Sequence, residues 1–240
     1  MLHGYLPLVG IPQNCYRKPM KPFACLVFCA VCGVAPISSA FALINIQPMV
    51  SEVRDKAVTV EISNTGDRAE YVSIALSRVL NPGVELADES LESIGKTLQP
   101  KLYVAPFKLQ LAPGQSKTIT LKPLVKIEQE QVYRLDIKPV VSLLDPKLKT
   151  IAGNVVVNLA FSALVRHIPV QETSTLTIKC EAGGGRFFAT GNTRAHVEGV
   201  TVNGEPIDPF NVYPGVPLLL KGARISVPDQ PECIAAGPAR

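Results

Sequence analysis

The sequence VTVEISNTGDRAEYVSIAL, residues 58–76, decides the fold of this chain. Val58, Val60 and Ile62 alternate with polar residues, the turn-forming residues 64–67 interrupt the pattern, and the alternation then resumes. Apolar side chains at every second position give a β-strand one buried face, and neighbouring Asn, Gly and Asp favour a tight turn. The stretch therefore predicts two antiparallel strands with one face in a core and the other in water.

The same alternation recurs at 107–111, 118–122 and 133–138, and Pro-Gly turns lie at 82–83 and 113–114. No long amphipathic helix competes with it. Many short strands at this spacing predict a β-sandwich. A break near residue 168 is followed by a second β pattern, so we expect an all-β chain with one domain at 43–168 and a smaller one at 169–240.

The N-terminal segment has the pattern of an export signal. Met20 and Lys21 precede the apolar stretch 23–34, which is shorter than a membrane span, and Ala40-Phe41-Ala42 offers a cleavage point. We predict that residues 1–42 are leader and signal peptide, with a membrane anchor as the alternative. Their removal takes three of the 24 basic residues and none of the 20 acidic ones, which leaves a net charge of +1. The remaining chain offers no basic stripe for nucleic acid.

Two cysteines remain after the signal, Cys180 and Cys233. In an oxidising compartment such a pair favours a disulfide, which would close a loop of about 50 residues and stabilise a small domain by about 4 kcal/mol. Two free buried thiols are the alternative. Two cysteines with only His167 and His196 do not make a zinc set, so we expect no metal site.

The sequence contains no nucleophile elbow, phosphate-binding loop, His-Glu metal motif or catalytic triad. We therefore expect no enzyme activity, no cofactor and no small-molecule substrate.

Several stretches, in this order, resemble the periplasmic chaperones of pilus (fimbrial) subunits, and within them the alternate, or alpha-fimbrial, class. They are YVSI to LNPG (71–83), VAPFKLQLAPGQSKTI (104–119), EQVYRL (130–135), AFSALVR (160–166) and GNTRA (191–195). The resemblance implies two immunoglobulin-like β-sandwich domains set at an angle, with a cleft between them. It also implies a periplasmic location, pilins and an outer-membrane usher as partners, and donor-strand complementation as the mechanism. A homo-oligomer that caps its own donor strand is a further possibility.

The donor strand is predicted at residues 154–166. By resemblance, the pilin receives the side chains of Val155, Val157 and Leu159, and Phe161 shares their face. Each buried side chain of this size contributes about 1.5–3 kcal/mol. The alternative interpretation is an ordinary core strand of its own sandwich, which periodicity alone cannot distinguish.

The resemblance further implies that basic residues hold the terminal carboxylate of the pilin. Arg166 is the candidate, because an arginine fork suits a carboxylate and Arg166 ends the donor strand. An ion pair between the domains is the alternative role. The first strand, IQPMV at 46–50, lacks the basic residue that the resemblance predicts, so Arg54 is only a possible second anchor.

Two other functions compete with the chaperone hypothesis. A structural pilus subunit normally has one domain and its own N-terminal donor segment, whereas this chain has two β units. A two-domain sugar-binding adhesin commonly uses aromatic platforms, whereas this chain has no Trp.

Overall fold

The structure, a computed structural model, describes residues 44–140 and 159–235. The predicted leader and signal peptide, and the donor residues Val155 and Val157, lie outside the described residues. Within them, no helix combines the length and hydropathy needed to cross a bilayer. Regular structure there is almost entirely β, with two short 3₁₀ turns at Leu86–Asp88 and Ile94–Lys96. The all-β prediction is confirmed.

The first domain contains ten described strands. They are β1 (Ile44–Gln47), β2 (Val50–Val53), β3 (Val58–Asn64), β4 (Glu70–Val79), β5 (Leu91–Ser93), β6 (Leu102–Ala105), β7 (Lys108–Leu111), β8 (Ser116–Pro123), β9 (Gln131–Pro139) and β10 (Phe161–His167).

These strands form two sheets with one apolar core between them. One sheet has the order β1-β3-β8-β6, and the other has the order β2-β10-β9-β4-β5, with β7 also paired to β4. The alternating residues Val60, Ile62, Val72, Ile74 and Leu76 are all buried in the core. The periodicity of the sequence thus predicted the buried face of these two strands correctly, whereas Phe107, at the start of the 107–111 run, is 46% exposed.

The first strand region changes sheet, and this change sets the surroundings of β10. Strand β1 pairs with β3 at the edge of one sheet, and β2 pairs with β10 at the edge of the other. Only three residues after Gln47, the chain is therefore running parallel to β10 in the opposite sheet.

The second domain is built from nine short described strands. They are β11 (Leu176–Glu181), β12 (Gly184–Ala189), β13 (Ala195–Val197), β14 (Thr201–Val202), β15 (Glu205–Pro206), β16 (Phe210–Val212), β17 (Leu218–Lys221), β18 (Arg224–Ser226) and β19 (Cys233–Ile234).

The second domain has its own core, and a disulfide lies beside it. Phe187, Val212 and Ile225 are among its buried apolar residues. Cys180 and Cys233 are bonded, with their Cα atoms 5.5 Å apart. The pair that the sequence left open between a disulfide and free thiols is therefore a disulfide.

The segment from Gly191 to Arg194 belongs to the second domain and contacts Glu130 of the first. The backbone N–H of Glu130 donates to the Asn192 carbonyl at 2.9 Å, and the Asn192 side-chain oxygen accepts from the Thr173 N–H at 2.7 Å. A Cβ at position 191 would overlap the Thr173 carbonyl oxygen, so only glycine fits there. This packing gives a physical reason for the Gly-Asn motif.

Candidate functional site

Strand β10 is paired differently along its two halves. Strand β9 pairs with all of it, from Phe161 to His167. Strand β2 pairs only with its second half, from Leu164 to His167. Among the described residues, the first three positions of β10 therefore have one unpaired edge.

The backbone groups of Ser162 point toward that open edge. On the side of β2, the Leu164 N–H donates to the Met49 carbonyl at 2.9 Å, and the Ile168 N–H donates to the Val53 carbonyl at 2.8 Å. Because successive residues of a strand face opposite edges, the N–H and C=O of Ser162 face the same side as those of Leu164. The edge can thus accept one more strand.

Exposed apolar residues precede both strands at this edge. Leu159, two residues before β10, is 52% exposed. Met49 and Val50, where β2 begins, are about half exposed. Phe161 is partly buried and packs against the core of the first domain, where Ala163 is fully enclosed. Of the predicted donor side chains within the described residues, Leu159 is therefore available to a partner and Phe161 is partly used by its own domain.

Arg166 occupies a buried ion pair. Its Nε donates to Glu130 Oε1 and its Nη1 donates to Glu52 Oε1, each at 2.6 Å. The Arg166 side chain is 8% exposed and that of Glu130 is 0% exposed. Burial opposes the charge on Arg166, but the hydrogen bond and the attraction to Glu130 outweigh it and raise the pKa of the guanidinium.

The buried pair also reaches the second domain. The other carboxylate oxygen of Glu130 accepts the backbone N–H of Arg194 at 2.7 Å. Both carboxylate partners of Arg166 lie in the first domain, and only the hydrogen bond from Arg194 to Glu130 reaches the second. Arg166 itself therefore forms no ion pair between the domains within the described residues. An anchoring role for Arg166 stays a prediction.

Arg54 lies directly after β2 and makes an ion pair with Glu172 of the second domain. Its Nη2 donates to Glu172 Oε1 at 2.6 Å, and its Nη1 donates to Glu52 Oε2 at 3.3 Å. The hydrogen bond to Glu172 raises the pKa of Arg54. Both predicted anchors therefore share the Glu52 carboxylate. Five side chains thus contact one another in the order Glu172, Arg54, Glu52, Arg166 and Glu130.

Sequence reasoning missed a third arginine on the same face of the sheet. Arg134 lies opposite Leu164 in the register of β9 and β10. Its Nε and Nη2 donate to the two carboxylate oxygens of Glu89 at 2.8 and 2.6 Å. The alternation of residues 133–138 placed Arg134 on the outer face, but the residue opposite it depends on the register between two strands that are distant in the sequence.

His167 is completely buried at the end of β10. Neither ring nitrogen makes a hydrogen bond of standard geometry within the described part of the chain, although the Arg54 backbone lies close by. Burial lowers the pKa of the imidazole, because the charged form loses its hydration. The same part of the chain contains no group of three His, Cys, Asp or Glu side chains placed to hold a metal ion.

Two curated Escherichia coli proteins are similar in sequence, and no family model matches. One, a fimbrial protein of the CS1 type, is 27% identical over 158 residues, which cover 64% of this chain and 65% of that protein. The other, a fimbrial protein of the CFA/I type, is 26% identical over 147 residues, which cover 59% of this chain and 60% of that protein. Both are named as fimbrial subunits. The chain thus spans less than two thirds of the length of either relative.

Solved structures match over more of the chain. The class 5 fimbriae chaperone CfaA covers 80% of this chain and 99% of its own, with a TM-score of 0.62 at 21% identity. A chain from a chaperone–tip adhesin complex of CFA/I fimbriae biogenesis covers 82% and 100%, with a TM-score of 0.61 at 24% identity.

This chain has the fold of the fimbrial chaperones. That fold consists of two immunoglobulin-like domains, as the sequence predicted. A more distant match comes from the complex of the Salmonella enterica SafA pilin with the SafB chaperone. It covers 78% of this chain and 89% of the matched one, with a TM-score of 0.54 at 14% identity.

Proposed function

We propose that this protein is a chaperone that binds, stabilises and delivers pilus subunits by donor-strand complementation. The observation that carries the proposal is the open edge of β10 at Phe161–Ala163, next to the exposed Leu159. The backbone of Ser162 would form hydrogen bonds with a strand of the pilin, and the apolar side chains of the donor strand would fill its groove.

A pilin that lacks a strand exposes apolar core and unpaired backbone groups, which favour aggregation. Val155, Val157 and Leu159 would cover that groove. Three such side chains contribute about 5–9 kcal/mol before the costs of association, which allows useful affinity without irreversible binding. Release then needs only a better-fitting strand, and no cofactor or catalysis.

The partners and the location belong to the same proposal. The protein would be exported by the signal in residues 1–42, bind pilins in the periplasm and deliver them to an outer-membrane usher. Arg166 would anchor the terminal carboxylate of the pilin, with Arg54 as the second anchor. In the absence of a pilin, a homo-oligomer could cap the open edge.

A structural pilus subunit is the second candidate, because both curated relatives are named fimbrial subunits. The two functions predict different locations of the protein after pilus assembly. A structural component of the pilus, or an adhesin, is found in purified pili, whereas a chaperone is found only in soluble complexes with pilins.

Co-expression with a pilin encoded beside this gene tests the proposal directly. We expect a soluble one-to-one complex with the wild-type protein and none of the protein in the purified pili. Ser162→Pro removes an N–H that faces the open edge while leaving the pairing with β9, so complex recovery should fall about tenfold.

Ser162→Ala is the matched control. It removes the hydroxyl that donates to Asp136 Oδ1 at 2.7 Å but keeps the backbone N–H. Unchanged recovery with Ser162→Pro, or incorporation of the protein into pili, would contradict the proposed function.

A further inference from the structure

Glu52 is a single carboxylate held between two guanidinium groups. Its Oε1 accepts from Arg166 Nη1 at 2.6 Å, and its Oε2 accepts from Arg54 Nη1 at 3.3 Å. Two cations around one carboxylate form a site of the kind that binds the terminal carboxylate of a peptide. In this structure, the protein fills that site with its own side chain.

The two partners of Arg166 differ in how firmly they are held. Glu130 is fully buried, and removing a partner from a buried pair leaves an uncompensated charge. The side chains of Glu52 and Arg54 are 42% and 40% exposed, and exposed pairs contribute little to stability. Glu52 is therefore the partner that can leave, while Glu130 keeps Arg166 charged and oriented.

The position of Glu52 matches the end of an added strand. In the register of the sheet, Val50 lies opposite Leu164 and Glu52 lies opposite Arg166. An added strand that runs parallel to β10 along the open edge would have the start of β2 directly ahead of it, so its C-terminus would lie near Val50. Glu52 is the next residue on that face, about 7 Å further along.

We propose that Glu52 is an internal stand-in for the terminal carboxylate of the bound strand, and that the ligand carboxylate exchanges with it on Arg166 and Arg54. This inference rests on the proposed strand-binding function. It adds that Glu52 competes with the ligand carboxylate for the two arginines. The exchange leaves both contacts with the second domain in place, because Arg54 keeps its ion pair with Glu172 and Glu130 keeps the hydrogen bond from the Arg194 N–H. Internal competition would weaken the anchor and so favour release of the pilin.

The competing interpretation is that Glu52 only adds to the ion pairs that join the domains. The two interpretations differ in what happens when the Glu52 charge is removed. A purely structural carboxylate would weaken the fold and leave ligand preference unchanged. If Glu52 is a stand-in, removal of its charge would produce a preference for a free carboxylate that the wild-type protein does not show.

The experiment uses two synthetic peptides, acetyl-Val-Thr-Val-Thr-Val with a free C-terminal carboxylate and the same peptide as its C-terminal amide. Binding of both to the full chain is measured by calorimetry for the wild-type protein and for Glu52→Gln. We expect the acid and the amide to bind the wild-type protein with affinities that differ by less than about threefold. We expect Glu52→Gln to bind the acid at least about tenfold more tightly than the amide, as a gained charge-assisted hydrogen bond would produce.

Glu172→Gln is the matched control. Its carboxylate is as exposed as that of Glu52 and also contacts Arg54, at 2.6 Å, but it does not contact Arg166. We expect it to keep the wild-type ratio of acid to amide binding. Equal affinities of acid and amide for Glu52→Gln would overturn this inference alone, while absence of any peptide binding to any variant would overturn it together with the proposed function.

Discussion

The two halves of β10 have opposite surroundings. From Leu164 to His167 the strand has a neighbour on each side, and Arg166 is held in a buried ion pair. From Phe161 to Ala163 it has a described neighbour on one side only. One strand therefore combines a fixed end, which joins the domains, with an open end, which can accept another strand.

This difference shows how a protein can offer a strand edge without losing its own fold. An exposed edge in an independent hairpin would cost stability and invite aggregation. Here the open half continues a strand whose other half is hydrogen-bonded to both β2 and β9. The ion pair of Arg166 with Glu130 also holds that half in place. The fixed half thus supplies the stability that the open half lacks, and each half can be tested separately.

The largest effect is expected from breaking the fixed half at Arg166. Arg166→Ala leaves the buried Glu130 carboxylate without a counter-charge and should lower the free energy of unfolding by about 3–5 kcal/mol, measured by chemical denaturation. Arg186→Ala is the control, because Arg186 and Glu181 form a pair at 2.7 Å whose side chains are 34% and 37% exposed, so its loss should have a much smaller effect. Equal losses in the two variants would contradict the importance of the buried pair.

Breaking the open half should affect binding and leave the fold intact. Leu159→Asp puts a charge into the apolar groove of the pilin, and we expect the affinity for a pilin to fall about 100-fold, or about 2.7 kcal/mol. The melting temperature should stay within about 2 °C of that of the wild-type protein, because Leu159 is half-exposed.

Leu98→Asp serves as the matched control, since Leu98 is fully exposed and lies away from β10 in the sequence. Its pilin affinity should equal that of the wild-type protein. A loss of affinity in Leu98→Asp as large as in Leu159→Asp would mean that added charge, and not the open edge, determines binding.

The smallest effect concerns His167 at the end of the fixed half. Its pKa in the folded protein is lowered, so the unfolded chain takes up a proton first as the pH falls below about 6.5. Stability should therefore decrease as the pH falls from about 7.5 to about 5.5. In His167→Gln this decrease should be smaller, measured as the change in melting temperature over the same pH range.

His196→Gln is the control for the pH experiment, because the His196 side chain is largely exposed. It should retain the wild-type dependence of melting temperature on pH. If His167→Gln and the wild-type protein lose stability in parallel, other groups account for the acid sensitivity.

The candidate site was only partly predictable from the sequence. Arg166 and Arg54 were both identified as candidates, but their shared partner Glu52 was not. Glu52 lies 114 residues from Arg166 in the chain, and no local pattern specifies that pair. The role of Glu130 was missed for the same reason, since its separation from Arg166 is 36 residues. The complete burial of His167 was not predicted either.

The sequence by itself determined the strands and their buried faces, because an alternation such as Val58, Val60 and Ile62 depends only on the local geometry of an extended chain. Only the tertiary structure decided which part of β10 is open. That depends on where β2 begins after the chain has crossed from one sheet to the other, and a long-range register of this kind arises only when the two sheets pack around their common core.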